Sequence, residues 1–341
     1  MKIGIVGYQG SGRSTLFQWL TGVAPAASHH HETQTAMATI VEPRIQPLCD
    51  IYKPKKVTHA HLEIVDTPGL SRSHEGSAAR LALIREADCL VIVVAAYGAA
   101  DPLGDLANFQ DDLLLADLDV ISGRIERLRE QTKKPRPNRE ELQKEIDTLA
   151  PLQAAMENGQ ALHSLALTPE QSRAIRSFQL FSEKPRLVIA NVADDDTDLD
   201  RFQRQAPPGV PVVAVSLALQ LGLSRMEEAE RRQFCEEMGV STFDRDQLVR
   251  RIMDVSGQML FFTAGDKEVR SWIIRKGGTA LEAAGNIHTD LAHGFIRAEV
   301  MTCNDLFRLG SEREVKAHHL LRKEHKEYVI QDGDIIFVQH N

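Results

Sequence analysis

Gly7-Tyr8-Gln9-Gly10-Ser11-Gly12-Arg13-Ser14-Thr15 is preceded by the apolar run Met1-Lys2-Ile3-Gly4-Ile5-Val6 and followed by Leu16-Phe17-Gln18-Trp19-Leu20. The order reads strand, Gly-rich turn, helix, which is the context a phosphate-binding loop needs. Glycines let backbone N–H groups turn inward around an anion, and the helix N-terminus behind them adds a fixed positive end. The spacing is G-x-x-x-x-G-K-S with Arg13 in the place of the lysine. Arginine keeps the charge but carries it on a planar fork, so the exchange is not neutral. Ser14 stands where a hydroxyl would hold Mg²⁺. The stretch predicts a nucleoside-triphosphate site in which Gly7, Gln9, Gly10, Ser11, Gly12, Arg13, Ser14 and Thr15 face the phosphates.

Two further motifs fall where such a site needs them. Asp66-Thr67-Pro68-Gly69 follows the strand-like His61 to Val65. A carboxylate at a strand end can hold Mg²⁺ and a Gly69 N–H can meet a γ-phosphate. The next residue is Leu70, where many Ras-like GTPases carry a water-orienting Gln. A leucine cannot hydrogen-bond water, so hydrolysis must place its water by other means. Asn191-Val192-Ala193-Asp194 follows the strand-like Leu187 to Ala190 at the position of the base-reading N-K-x-D signature. Val192 removes the lysine stem that would pack over a base. Asp194 can still accept from guanine, which leaves the base open between adenine and guanine. Ser216, ending the next strand, reads equally as a base-edge contact or a turn serine.

The 341 residues suffice for two or three domains, and 43% apolar with 26% charged content describes a globular chain. A net charge of −8 argues against nucleic acid wrapping the whole surface but allows a local basic patch. Cys49, Cys89, Cys235 and Cys303 form no C-x-x-C pair, Cys49 and Cys89 read as core thiols, and reduced chemistry is the simplest account. There is no leader and no apolar run of membrane-spanning length, so the reading is cytoplasmic, with no membrane contact. His29-His30-His31 cannot all face one metal from a helix or strand and reads as an exposed loop.

Strands alternating with helices predict a doubly wound α/β domain over 1–110 and 181–257. Between them, Leu113, Leu114, Leu118, Ile121, Ile125 and Leu128 form one helical stripe, and Leu142, Ile146, Leu149 and Leu152 another. The breaker Lys133-Lys134-Pro135-Arg136-Pro137-Asn138 makes 111–180 an antiparallel helical hairpin. Its tip is basic, with Arg124, Arg127, Arg129, Lys133, Lys134, Arg136 and Arg139. That run reads either as a solvated helix end or as a contact for the phosphate backbone of an RNA-rich partner. After about 257 a small α+β module begins, with strands at 259–264 and 268–274. Asp305-Leu306-Phe307, Tyr328-Val329-Ile330 and Ile335 to Val338 complete it.

The order of phosphate loop, D-x-x-G-L, hairpin, N-x-x-[DE] and C-terminal module resembles the YchF family of Obg-like P-loop ATPases, of the TRAFAC class. Ile51-Tyr52-Lys53-Pro54-Lys55-Lys56, Phe262-Thr263-Ala264-Gly265, Glu268-Val269-Arg270-Ser271-Trp272, Ala284-Gly285-Asn286-Ile287-His288-Thr289-Asp290, Gly294-Phe295-Ile296-Arg297-Ala298-Glu299 and Tyr328-Val329-Ile330-Gln331-Asp332-Gly333-Asp334 carry the likeness over nearly the whole chain. The resemblance implies a β-grasp-like TGS domain at 258–341, ATP preferred over GTP, Mg²⁺ as cofactor, and ribosome or rRNA as partner. It implies hydrolysis with a hydrophobic residue, here Leu70, in place of the Gln, and stress and translation control as the setting. Arg13 and Gly69 would act at the γ-phosphate, Ser14 and Asp66 at the metal, and Asn191 at the base edge. Arg13, the Asp66-Thr67-Pro68-Gly69 form of the loop and the His run depart from the family pattern. They keep two alternatives open: a nucleotide-gated binding module with little turnover, and a GTP-specific GTPase.

Overall fold

The computed structural model describes residues 1–26, 33–72, 77–133, 137–162, 165–207 and 209–341, without the side chains of 77–78. The His29-His30-His31 run and Lys134 and Arg136 of the hairpin tip lie outside the described residues. In chain order the first elements are β1 (Lys2–Val6), α1 (Arg13–Thr21), β2 (Gln34–Thr39), α2 (Ile45–Tyr52), β3 (Lys56–Thr58), β4 (His61–Asp66), α3 (Ser77–Arg85) and β5 (Cys89–Ala96). Then come α4 (Pro102–Thr132), α5 (Arg139–Glu157), α6 (Pro169–Ile175), β6 (Arg186–Val192), α7 (Asp200–Gln205), β7 (Val212–Val215), α8 (Leu217–Leu223) and α9 (Glu228–Met238). The remainder is α10 (Arg245–Val255), β8 (Gln258–Ala264), β9 (Glu268–Arg275), α11 (Ala280–Ile287), α12 (Thr289–His293), β10 (Phe295–Thr302), α13 (Cys303–Leu309), α14 (Glu312–Ala317), β11 (Arg322–Glu324) and β12 (Asp334–His340).

Packing divides the chain into two units, Met1–Ala36 with Ile64–Phe243, and Met37–Glu63 with Asp244–Asn341. The boundary thus falls at Phe243/Asp244, ahead of the 257/258 position suggested by texture, and 37–63 packs with the C-terminal module. The first unit holds a sheet in the order β2-β4-β1-β5-β6-β7, with β1, β5, β6 and β7 parallel to their neighbours in that series. Buried parallel strands read as continuous apolar runs, as Cys89–Ala96 does. Chain order reverses at β1, between β4 and β5. In open α/β sheets a ligand crevice lies at such a point, beyond the carboxyl ends of the strands.

The hairpin is longer at its start than the leucine pattern suggests. Asp101 accepts from the Gly104 N–H and Pro102 occupies the first turn, so α4 begins at Pro102 and not near 111. Ile121, Ile125 and Leu128 pack with Leu142, Ile146, Leu149, Leu152 and Met156 of α5, while Leu113 turns to the sheet core. Asp117, fully buried on α4, accepts from the Phe181 and Ser182 N–H groups at 2.9 and 2.7 Å. It also pairs with Arg85 at 2.9 Å, and Arg85 lies over the Phe181 ring.

In the second unit the sheet order is β11-β10-β12-β8-β9-β3. Met259, Phe261, Ile274, Ala283, Val300, Ile336 and Val338 fill one core of it. The structure differs from expectation in several places. Gln34–Thr39, whose sequence announces no strand, forms β2. Asp305 to Phe307 is helix, because Thr302 caps it by accepting from the Asp305 N–H. Tyr328 to Ile330 makes only the bridge Thr279↔Val329. Cys89 is core, but Cys49 is half-buried and Cys303 takes the second buried position. Among the described residues no helix is long and apolar enough to cross a membrane.

Candidate functional site

The phosphate loop has the backbone its glycines suggest. Gly7, Gly10 and Gly12 sit at φ of 146°, 81° and 102°, which side chains rarely adopt. At two of them space is also exhausted: a Cβ would strike the Val93 carbonyl at Gly7 and the Asn191 amide at Gly12. The first turn of α1, which begins at Arg13 directly behind the loop, carries no acidic residue. Its positive end therefore stays uncompensated. A cleft of about 580 Å³ opens there, lined by Gly10, Gly12, Arg13, Ser14 and Thr15, by Asn191, Val192, Ala193 and Asp194, by Ser216 and Ala218, and by Tyr97. That volume lies within the ordinary range for small-molecule sites. Nine of the sequence-derived candidates meet in this one cleft. Gly7 and Ser11 border a small void behind the loop, and Gln9 is tied through its N–H to the Leu70 carbonyl at 3.1 Å.

Ser14 and Asp66, far apart in sequence, come into direct contact: Ser14 Oγ donates to Asp66 Oδ2 at 2.7 Å. A hydroxyl beside a carboxylate, both oxygen donors, suits a hard cation such as Mg²⁺. Among the described residues no group of three or more His, Cys, Asp or Glu could hold a metal ion without help from other ligands. Asp66 ends β4, and the Thr67 side chain donates to the Ile5 carbonyl at 2.8 Å, which fixes the loop to β1.

Arg13 folds back toward that loop. Its Nη1 donates to the Thr67 carbonyl and lies 3.9 Å from Asp66 Oδ1, and its guanidinium fills the space beside Gly69. Burial lowers its pKa from the ordinary arginine value, with Asp66 opposing the shift. Leu70 is buried in the sheet core, and its backbone bridges Tyr8 and Gly7. Gly69 and Leu70 therefore stand beside the cleft, and neither lines it.

At the other end, Asn191 is 8% exposed and both ends of its amide are engaged. Nδ2 donates to the Ser11 carbonyl at 3.0 Å, and Oδ1 accepts from the Leu217 N–H at 3.1 Å. Asn191 ties the phosphate loop to the start of α8. Val192 is buried with the sheet core, and the exposed Asp194 accepts from the Ser216 hydroxyl. Tyr97 is a cleft residue that motif reading passed over. Its hydroxyl donates to the Gly10 carbonyl at 2.5 Å. An aromatic residue just past the C-terminal end of a strand beside β1 was the available signal.

A second missed set surrounds Tyr8. Its hydroxyl donates to Asp112 at 2.8 Å, Phe109 meets its ring edge-on, and Arg72 lies over the ring while pairing with Asp105 at 2.6 Å. The phosphate loop, the segment after Gly69 and the first turns of α4 are thus joined through five side chains.

Residues 2–131 match the family model MMR_HSR1, described as a 50S ribosome-binding GTPase. Residues 259–341 match YchF-GTPase_C, described as a protein of unknown function. The ribosome-binding ATPase YchF of Haemophilus influenzae is 33% identical over 362 aligned residues, spanning 100% of this chain and 99% of its own. Obg-like ATPase 1 of Oryza sativa subsp. japonica is 32% identical, over 100% and 92% of the two chains. The solved structure of the Schizosaccharomyces pombe YchF GTPase matches with a TM-score of 0.85 at 27% identity, covering 99% of this chain and 97% of that one.

Proposed function

The chain belongs to the YchF family of Obg-like ATPases, and on that premise we propose that it is a Mg²⁺-dependent ATPase of slow turnover whose nucleotide state governs binding to the ribosome in the cytoplasm. The observation that carries the reading is the single cleft in which the glycine loop, the end of β6 and the start of α8 meet. Gly10, Gly12, Arg13, Ser14 and Thr15 receive the phosphates, whose charge the loop N–H groups and the α1 terminus accept. Ser14 and Asp66 would hold Mg²⁺, which would supply neutralisation of the phosphate charge. The base lies toward Val192, Asp194 and Ser216.

Hydrolysis on this reading relies on positioning and electrostatics, since no side chain in the described cleft is a water-orienting glutamine. Arg13 supplies the phosphate-loop charge and at the same time restrains the Thr67 carbonyl. A fork divided between two tasks is a poorer transition-state clamp than a free ammonium, which accounts for slow turnover. The Tyr8, Arg72, Asp105 and Asp112 set carries rearrangement of the loops into α4. At the hairpin tip, Arg124 is neutralised by Glu145 and Lys133 by Glu130, so the basic character offered to ribosomal RNA rests on Arg127, Arg129 and Arg139 among the described residues. The C-terminal module is proposed as a TGS domain.

Calorimetric titration with ATP and with GTP in the presence of Mg²⁺ tests the reading, followed by single-turnover hydrolysis. Tight ATP and weaker GTP binding with slow hydrolysis is the expected result. Equal or reversed affinities would overturn the ATPase assignment. Hydrolysis should quicken in Arg13→Lys, and an unchanged or slower rate would remove Arg13 as the cause of slow turnover.

A further inference from the structure

Side chains of β12 alternate between the two faces of the second sheet. Ile336 and Val338 enter the core shared with α11, and Ile335 on the other face is 3% exposed. Two residues on, on that same other face, Phe337 is 66% exposed. It does not lie at a sheet edge, because β12 runs between β10 and β8 and Phe337 stands directly opposite Glu299. The solvated face of an antiparallel pair ordinarily carries polar side chains, so a bare phenylalanine on an interior strand marks a binding surface more than a packing position.

A groove of about 420 Å³ runs past this ring, with Tyr52, Met301 and Ile335 also on its wall. Its polar lining is acidic: Asp266, Glu299 and Glu312, against the single cation Lys316. Lys316 is already paired with Glu312 at 2.5 Å. Glu299 accepts only a neutral amide bond from Gln339, and neither it nor Asp266 forms an ion pair among the described residues. The groove therefore offers an apolar seat inside an excess of negative charge. Phosphate groups would meet repulsion there, which argues against RNA as its occupant even though the proposed function involves the ribosome. An arginine or lysine would gain both from the carboxylates and from the open face of the Phe337 ring.

We propose that this groove binds a short basic peptide segment of a partner protein, with one aliphatic or aromatic anchor on Phe337 and flanking lysine or arginine against Glu299 and Asp266. The surface does not involve the nucleotide cleft residues, so the proposal stands or falls separately from the ATPase reading.

A displayed library of short random peptides, selected on the full-length protein and counter-selected on Phe337→Ser, tests it. Phe337 is exposed, and Glu299→Lys, confirmed folded by its melting curve, gives a second variant that leaves the apolar seat intact. Enriched peptides should carry net positive charge and an apolar anchor. Each should bind about tenfold more weakly to either variant and should weaken with added salt. Survivors that bind all three proteins alike, that are acidic, or that fail to exceed the counter-selected background would overturn the proposal. So would a single-stranded RNA probe, or self-association by sedimentation, that binds or forms with wild type and is lost in Phe337→Ser.

Discussion

Replacing Asn191 by alanine separates two roles for this residue, a reader of the base edge and a staple for the phosphate loop. The structure engages both ends of its amide with backbone, at 3.0 Å to the Ser11 carbonyl and 3.1 Å to the Leu217 N–H. Asn191→Ala leaves these two groups without their partner, and each such loss costs about 1–3 kcal/mol when the site stays dry. Leu217 lies in the first turn of α8, where water can replace part of the bond, so a total of about 2–4 kcal/mol is reasonable. At about 2–4 °C per kcal/mol, the melting midpoint should fall by roughly 4–16 °C. If about 1–2 kcal/mol of the loss is felt as slackening of the loop in the folded protein, nucleotide affinity should fall about five- to thirtyfold. The factor should be the same for ATP, ADP and GTP, because the deleted atoms hold loop backbone and not the base. Calorimetric titrations of the three nucleotides against both proteins, with melting curves alongside, measure this. A shift of more than about threefold in the ATP-to-GTP ratio would refute the staple argument and return Asn191 to the base edge.

Ser14→Ala removes the hydroxyl that bonds Asp66, and the gain in ATP affinity on adding Mg²⁺ should shrink to about twofold or less, with metal-free binding kept. A full Mg²⁺ response in the variant would take Ser14 out of the metal site. Asp117→Ala strips a fully buried carboxylate from Arg85 and from two backbone N–H groups, and should cost about 3–5 kcal/mol in urea unfolding of the first unit. A loss under about 1 kcal/mol would show that Arg85 and the 178–182 segment find other partners. Burial pushes the Cys89 and Cys303 thiols up to about 12, so iodoacetamide at about pH 8 should label them only as the protein unfolds. Mass spectrometry showing native-state labelling at free-thiol rates would contradict their burial.

The elements of the first unit were legible because their signals are local. Glycines at 7, 10 and 12, the apolar runs at 89–96 and 186–192, and the leucine stripes of α4 and α5 each reveal themselves within a few turns of chain. The start of α4 was missed for want of weight on a cap, Asp101 before Pro102, that lies upstream of the leucines. The strand β2 was missed because Gln34–Thr39 has little apolar content and gains its place from the neighbouring β4.

Motif order, together with the long C-terminal stretches that carry the likeness, was enough to indicate the family. What each side chain touches was decided by pairings across long stretches of chain. Ser14 with Asp66, Asn191 with Ser11, Tyr8 with Asp112 and Arg13 with Thr67 are separated by 52, 180, 104 and 54 residues. Periodicity and turn chemistry report the backbone's local preference and the face a residue takes. They carry no information about which distant group fills the remaining hydrogen bond, because that partner is chosen by the packing of whole elements. Hence Arg13 could be placed in the loop from its neighbours, while its turn toward Thr67 and Gly69 came only with the fold that brings β4 beside β1.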